Sequence, residues 1–288
     1  MRVQAFLVLA LLFAPAFKGQ SQENPEVWVE KNEVWRETAA GPRQLTHDGT
    51  TKSLAALSPN QKRLVYLVGD WSSDGEPPKD VVVADGDGQA LRHVVPDGYV
   101  PGEFDKLEWI DNQRIGAMTC GHANCMYWIL DADSGKTLKV MQGGFDFVWS
   151  HNRRWVARRF EADIYAPDGS YEAEYDCVVL DEKHIYPPYQ PGQNRQLEQG
   201  HTVGEFAWSP HDIWLGFTDT VTPEGDPYVV LVSPAGTVLR DTVPVDVQYD
   251  AIIVWDDDSH LRLLTGGRSF NFIVVGNEVH EIKIPEGK

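Results

Sequence analysis

The chain has 288 residues, with 43 acidic against 25 basic side chains and a formal net charge of −18. An excess of carboxylates on that scale excludes the broad basic surfaces that nucleic acids and anionic membranes select, and it suits a soluble protein that meets a cation or a basic partner. After the N-terminal run, no stretch reaches the roughly 18 apolar residues of a membrane-spanning helix.

Residues 1–19 read as a signal peptide. Arg2 supplies a positive start, and Ala5 to Ala14 is apolar without the polar interruptions of a globular helix. Ala14-Pro15-Ala16 offers a small-residue cleavage site, and cleavage near Gly19 is the alternative. No cysteine stands nearby to take a lipid anchor. The reading is an exported protein, periplasmic or secreted. Loss of Arg2 and Lys18 leaves 43 acids against 23 bases in the mature form, about −20.

Residues 20–42 form an N-terminal extension containing one strand, Glu26-Val27-Trp28-Val29-Glu30, whose apolar residues alternate. Arg43-Gln44-Leu45-Thr46 ends another. Five segments then repeat one pattern: Leu57-Ser58-Pro59-Asn60, Trp109-Ile110-Asp111-Asn112, Trp149-Ser150-His151-Asn152, Trp208-Ser209-Pro210-His211 and Trp255-Asp256-Asp257-Asp258. A large apolar residue leads, a polar or proline-containing turn follows, and an apolar-rich run closes each one: Arg63–Leu67, Arg114–Met118, Arg154–Arg158, Ile213–Phe217 and Leu261–Leu264. The anchors are 52, 40, 59 and 47 residues apart. An all-strand repeat of roughly 40–50 residues predicts an all-β fold, a β-propeller of about five four-stranded blades over residues 43–288.

In blade one the strands a to d, counted from the channel outward, are predicted near Leu54–Leu57, Arg63–Val68, Asp80–Ala84 and Leu91–Val95. In blade two they are near Leu107–Trp109, Arg114–Thr119, Met126–Leu130 and Thr137–Met141. Asp85-Gly86-Asp87-Gly88, Asp133-Ser134-Gly135-Lys136, Ser233-Pro234-Ala235-Gly236 and Gly276-Asn277-Glu278 supply c–d turns. The N-terminal hairpin looks like the outer c and d strands of an incomplete blade. It either joins blade five or forms a partial sixth blade.

Cys120 and Cys125 flank a four-residue loop between two strand-like runs, and in an exported protein they are expected to form a disulfide. A metal site built on Cys120, His122 and Cys125 lacks a clear fourth ligand. Cys177 sits in an apolar run and reads as a buried, inert thiol.

Arg43-Gln44-Leu45-Thr46-His47-Asp48-Gly49, then Leu57-Ser58-Pro59-Asn60-Gln61-Lys62-Arg63-Leu64-Val65-Tyr66, resembles the TolB-type propeller repeat, as does Phe206-Ala207-Trp208-Ser209-Pro210. The propeller preceding the catalytic domain of dipeptidyl peptidase IV-type enzymes looks similar. Leu57 stands where that motif has Trp, and Asn60-Gln61 where it has Asp-Gly. The second, third and fifth modules lack the Ser-Pro pair. The resemblance implies a fold and carries no catalytic residue.

The b–c and d–a connections of a propeller share one face. The long insertions here all fall on it: 70–79, 120–125, 161–175, 219–227 and 182–202. Long connections gathered on one face point to a binding surface. Its expected ligand-contacting residues are Trp71, Asp74, Tyr165, Asp168, Tyr171, Tyr186, Tyr189 and His201, aromatic anchors among carboxylates suited to a protein partner or a small polar ligand. Tyr186-Pro187-Pro188-Tyr189 is the stiffest stretch of the 182–202 connection.

No nucleophile elbow, zinc-protease signature or phosphate loop occurs, so no catalytic residue is assigned and no cofactor or metal is expected. Asp256-Asp257-Asp258 reads as a turn rather than a calcium loop. The reading is an exported, monomeric, non-catalytic binding scaffold. One alternative is a glycosidase-like hydrolase using Asp105, Glu205 and Asp250 at the channel mouth. Another is a stand-alone relative of a peptidase-gating propeller.

Overall fold

A computed structural model describes residues 27–69, 80–97, 104–121, 125–144, 146–165, 171–187, 201–221, 227–243 and 251–282. Among these residues all regular structure is antiparallel strand, in six sheets. The first sheet holds β1 (Val27–Glu30), β2 (Glu33–Arg36) and β3 (Arg43–Gln44). Blade one holds β4 (Lys52–Leu57), β5 (Arg63–Val68), β6 (Asp80–Asp85) and β7 (Ala90–Val94). Blade two holds β8 (Phe104–Trp109), β9 (Arg114–Cys120), β10 (Cys125–Asp131) and β11 (Thr137–Gly143). Blade three holds β12 (Phe147–Trp149), β13 (Val156–Tyr165), β14 (Tyr171–Leu180) and β15 (Lys183–Tyr186). In blade four, strand a is split into β16 (His201–Val203) and β17 (Ala207–Trp208), both paired with β18 (Leu215–Val221), followed by β19 (Pro227–Val232) and β20 (Val238–Thr242). Blade five holds β21 (Ile252–Trp255), β22 (His260–Thr265), β23 (Arg268–Val275) and β24 (Glu278–Ile282).

The core lies in the seams between sheets. Alternate residues of a strand point to opposite faces, so a strand between two neighbours must be apolar on both. In β5 and β6, Val65, Leu67, Val81 and Val83 pack toward blade two, while Leu64, Tyr66, Val82 and Ala84 pack toward the first sheet. Three further clusters fill the seams between blades two and three, three and four, and four and five. This is why the b and c strands read as unbroken apolar runs.

The repeated tryptophan is a staple between blades. The indole N–H of Trp109 donates to Ala56 O at 3.0 Å, that of Trp208 to Val148 O at 3.2 Å and that of Trp255 to Ala207 O at 3.0 Å. Each acceptor directly precedes the anchor of the preceding blade. The junction of blades two and three departs from the pattern: Trp149 donates to the Tyr127 hydroxyl at 2.9 Å, and that hydroxyl donates to Glu108 at 2.9 Å.

The a–b turns explain the rest of the motif. Ser58, Ser150 and Ser209 are buried, and their hydroxyls accept the amides of Arg63, Trp155 and Trp214 at the start of strand b. Where serine is missing, Asp111 and Asp257 take over, accepting from Arg114 and His260. Gln61, Arg153 and Asp212 hold positive φ at equivalent positions (58°, 58° and 60°), where the resembled motif has glycine.

The turns are also pinned sideways. Asp212 accepts the amides of His151 and Asn152 and contacts His151 Nδ1 at 2.9 Å; Asp258 binds His211 in the same way. Asp256 pairs with Arg262, and Asp257 accepts from Ser259 and His260. The triplet Asp256–Asp258 is thus held by protein donors on all three side chains.

The first sheet is a partial sixth blade with its own place beside blade one. Its direction follows from its contacts. Arg36 reaches Gln61 in the a–b turn of blade one, and Arg43 pairs with Asp87 in its c–d turn. At the other end, Asn32 and Glu33 meet Lys52 at the start of β4. β1 and β3 therefore run toward the face of the b–c loops and β2 away from it. The three strands take positions b, c and d, and β3 leads into β4 as every d strand leads into the next a. The expectation of two strands, outer c and d alone, is corrected by one: β2 lies between them, and its Val34 packs into the cluster with Leu57 and Leu64.

Candidate binding face

The b–c connections define the face of interest. In blade two, β9 and β10 are closed by the Cys120–Cys125 disulfide, with the two residues directly opposite in register. The Asp105 carboxylate accepts the Cys120 amide at 2.6 Å. Asp105 therefore braces this hairpin. Glu205 is exposed, and Asp250 lies outside the described residues. Among the described residues no hydrogen bond or ion pair joins Asp105 to Glu205.

The largest departure from the sequence reading is in blade three. Residues 161–165 and 171–175, expected within a loop insertion over 161–175, continue the strands. β13 and β14 are ten residues each, where the b and c strands of the other blades run to six, seven or eight. The alternation in Phe160-Glu161-Ala162-Asp163-Ile164-Tyr165 and Tyr171-Glu172-Ala173-Glu174-Tyr175 is strand-like, and the hairpin register follows it. That register opposes Glu161 to Asp176, Asp163 to Glu174, and Tyr165 to Tyr171. Like charges directly opposite one another weaken a hairpin.

Tyr186 is corrected outright. It ends β15 as strand d of blade three instead of opening a loop, and it is 2% exposed. Its hydroxyl donates to Asp219, itself fully buried, at 2.5 Å, and its ring packs edge-on against Phe217. Burial and the Asp219 carboxylate push the phenol well above its ordinary range, so it stays a donor. Asp219, expected to open the 219–227 insertion, is instead a buried residue of β18. The pairing spans two blades, which a reading of one strand at a time cannot see.

His201 opens β16 opposite Val221. Trp71, Asp74, Asp168 and Tyr189 lie outside the described residues. Cys177 is buried, donates to Phe160 O, and is pushed up to about 12 by burial and by Asp176, against a smaller effect of Arg158. A thiol reagent at pH 8 should leave Cys177 unmodified in the native protein and label it after unfolding in denaturant. Stoichiometric labelling without denaturant would contradict this burial.

Sequence reasoning missed two charged sites inside the sheets. Glu108 in β8 holds Tyr127, Lys106 at 3.0 Å and Arg153 at 3.4 Å. Lys52 in β4 has a fully buried side chain that meets Glu33 and Asp48. The available signal was a charge placed within an apolar strand, which has to be partnered. Among the described residues, no group of three or more His, Cys, Asp or Glu side chains could hold a metal ion, and no helix is long and apolar enough to cross a membrane.

No protein-family model and no curated protein matches the sequence. Solved structures do match, in 224 chains. A eukaryotic initiation factor structure is similar at 13% identity and TM-score 0.51, over 87% of this chain and 59% of that one. The Dos1 propeller is similar at 11% identity and TM-score 0.45, over 84% of this chain and 63% of that one. The propeller domain of the Trilobed protease from Pyrococcus furiosus is similar at 10% identity and TM-score 0.46, over 87% and 76%. This chain spans less than two thirds of the first two. Likeness at such identity concerns the fold alone. The succession of four-stranded antiparallel sheets, each pairing its strands in chain order, makes this chain a β-propeller.

Proposed function

We propose that this protein is an exported β-propeller that binds a protein partner through the face carrying the β9–β10 and β13–β14 hairpins. One observation carries the reading: an asymmetry between the two faces. On the a–b side, tight turns are locked to one another across blades by Asp212 and Asp258. On the other side, β13 and β14 project as ten-residue strands. A platform that is rigid on one side and elaborated on the other presents its variable part for recognition. The Cys120–Cys125 disulfide and the N-terminal apolar run support export. The acids opposed along the hairpin favour a basic ligand, with Tyr165 and Tyr171 as its aromatic anchors.

Replacing residues 162–174 by an Asn-Gly turn tests this. The shortened protein should melt within a few degrees of the parent and lose, at least tenfold, a salt-sensitive partner captured from the exported extract. Retention of the partner would contradict the proposal. So would unfolding, which would make the hairpin structural.

A further inference from the structure

The face of blade five turned away from blade four has no strand across it among the described residues. In β5 and β9 the central residues are buried on both faces, but in β22 burial alternates: Leu261, Leu263 and Thr265 are buried, while Arg262 and Leu264 are not. Beside Leu264 that face carries Val254, half-buried, and Ile252, 47% exposed. Their counterparts in blade one, Leu54 and Ala56, pack in one cluster with Leu107 and Trp109 of β8, strand a of the next sheet. The partial blade holds positions b, c and d, and β1 pairs only with β2. The edge of β1 is also unguarded. Val27-Trp28-Val29-Glu30 pairs without a bulge and contains neither lysine nor proline, the usual protections of a strand edge. The outer strands of the full blades do carry charges, with Arg92 and His93 in β7, Lys139 in β11, and Arg240 and Asp241 in β20. Finally, Trp109, Trp208 and Trp255 each donate to the carbonyl just before the anchor of the preceding blade. The equivalent carbonyl of blade five is Val254 O, and among the described residues no indole reaches it.

We propose that this slot takes one extended strand of a partner protein, which adds to β1 as the strand a of the partial blade. The seam that the ring repeats between its own blades specifies the chemistry of that strand. Strand a ends in Leu107-Glu108-Trp109, Phe147-Val148-Trp149 and Phe206-Ala207-Trp208 in blades two to four. The ligand is therefore a strand of the form apolar-x-Trp. Its apolar residue and indole ring cover Ile252 and Val254, and its indole N–H donates to Val254 O. A partner supplies it because no tryptophan stands before Trp28 or after Trp255, so neither terminal segment of the sequence reads apolar-x-Trp. The slot is separate from the β13–β14 hairpin and does not depend on it.

Titration of the full-length protein with a fluorescently labelled peptide of the β8 sequence, Phe104–Trp109, tests the proposal. Binding should saturate and should slow amide exchange in β1. Replacing the tryptophan of the peptide by phenylalanine should weaken binding at least fivefold. Ile252→Asp, a change at an exposed position, should weaken it at least tenfold at an unchanged melting temperature. No saturable binding, or binding indifferent to both changes, would overturn the proposal. Binding that appears only after removal of residues 1–26 would place the chain's own N-terminal segment in the slot and overturn it. Protection of β1 that rises with protein concentration alone would place a second copy there, with the same result. Replacing residues 162–174 should leave the titration unchanged, which keeps this proposal apart from that of the hairpin.

Discussion

Lys52→Met should destabilise the protein by about 3 kcal/mol, because it leaves the buried Glu33 carboxylate facing no cation. The Lys52 side chain is fully buried, with Nζ 3.3 Å from Glu33, in contact with Asp48, and bonded to Asn32 O, Thr50 O and Thr50 Oγ1. Glu33 also accepts from Thr46 and from the Gly49 amide. The cluster fastens the partial blade to blade one. Adding Glu33→Gln to Lys52→Met should recover part of the loss, since the amide oxygen still accepts while the charge is gone. Chemical denaturation of the three proteins checks this, and a single variant within about 0.5 kcal/mol of the parent would show the cluster to be solvated.

The same cluster sets an acid limit. Burial works to raise both carboxyls, but hydrogen bonds outweigh it. Asp48 is held at about 2 by Lys52 and Thr50, and Glu33 is lowered by Thr46, Gly49 and Lys52. Groups depressed in the fold contribute stability that is complete above their unfolded values near 4 and is lost as pH falls through the folded ones. The parent should therefore lose melting temperature between about pH 4 and pH 2 more steeply than the Lys52→Met variant.

Gly116→Ala should cost about 3 kcal/mol, more than an exposed glycine substitution in a strand, which is neutral or favourable. A Cβ at Gly116 would lie 1.7 Å from the Tyr127 hydroxyl and 2.5 Å from its Cζ. The ring cannot retreat, because it is fully buried and stacked on Phe147 at 5.0 Å. Moving it breaks the bonds to Trp149 and Glu108 together. Tyr127→Phe removes the same two bonds without the clash and should cost less, about 1–2 kcal/mol. If the two variants prove equal in urea denaturation, the close approach at Gly116 is not what holds this junction.

The fold was largely legible because each blade is a local unit. Arg63–Val68 is strand b of blade one at the residues expected, and the anchors fall where each a strand ends. What stayed hidden lies between blades. Nothing near Trp208 shows that its indole reaches Val148, 60 residues earlier, or that Tyr186 is buried by Phe217 and bonded to Asp219. Residues 161–165 and 171–175 were placed in a b–c insertion, although their period-two alternation already favoured strands. The stiffness of the stretch around Pro187 says nothing about burial, and Pro187 itself is buried.

The binding claim is tested most directly by placing a photo-crosslinking amino acid at Tyr171, on the β13–β14 hairpin, and separately at His211, in an a–b turn on the opposite face, in the full-length protein. The account predicts a discrete adduct from position 171 and none from position 211. Adducts from His211 alone, or none from Tyr171, would contradict it.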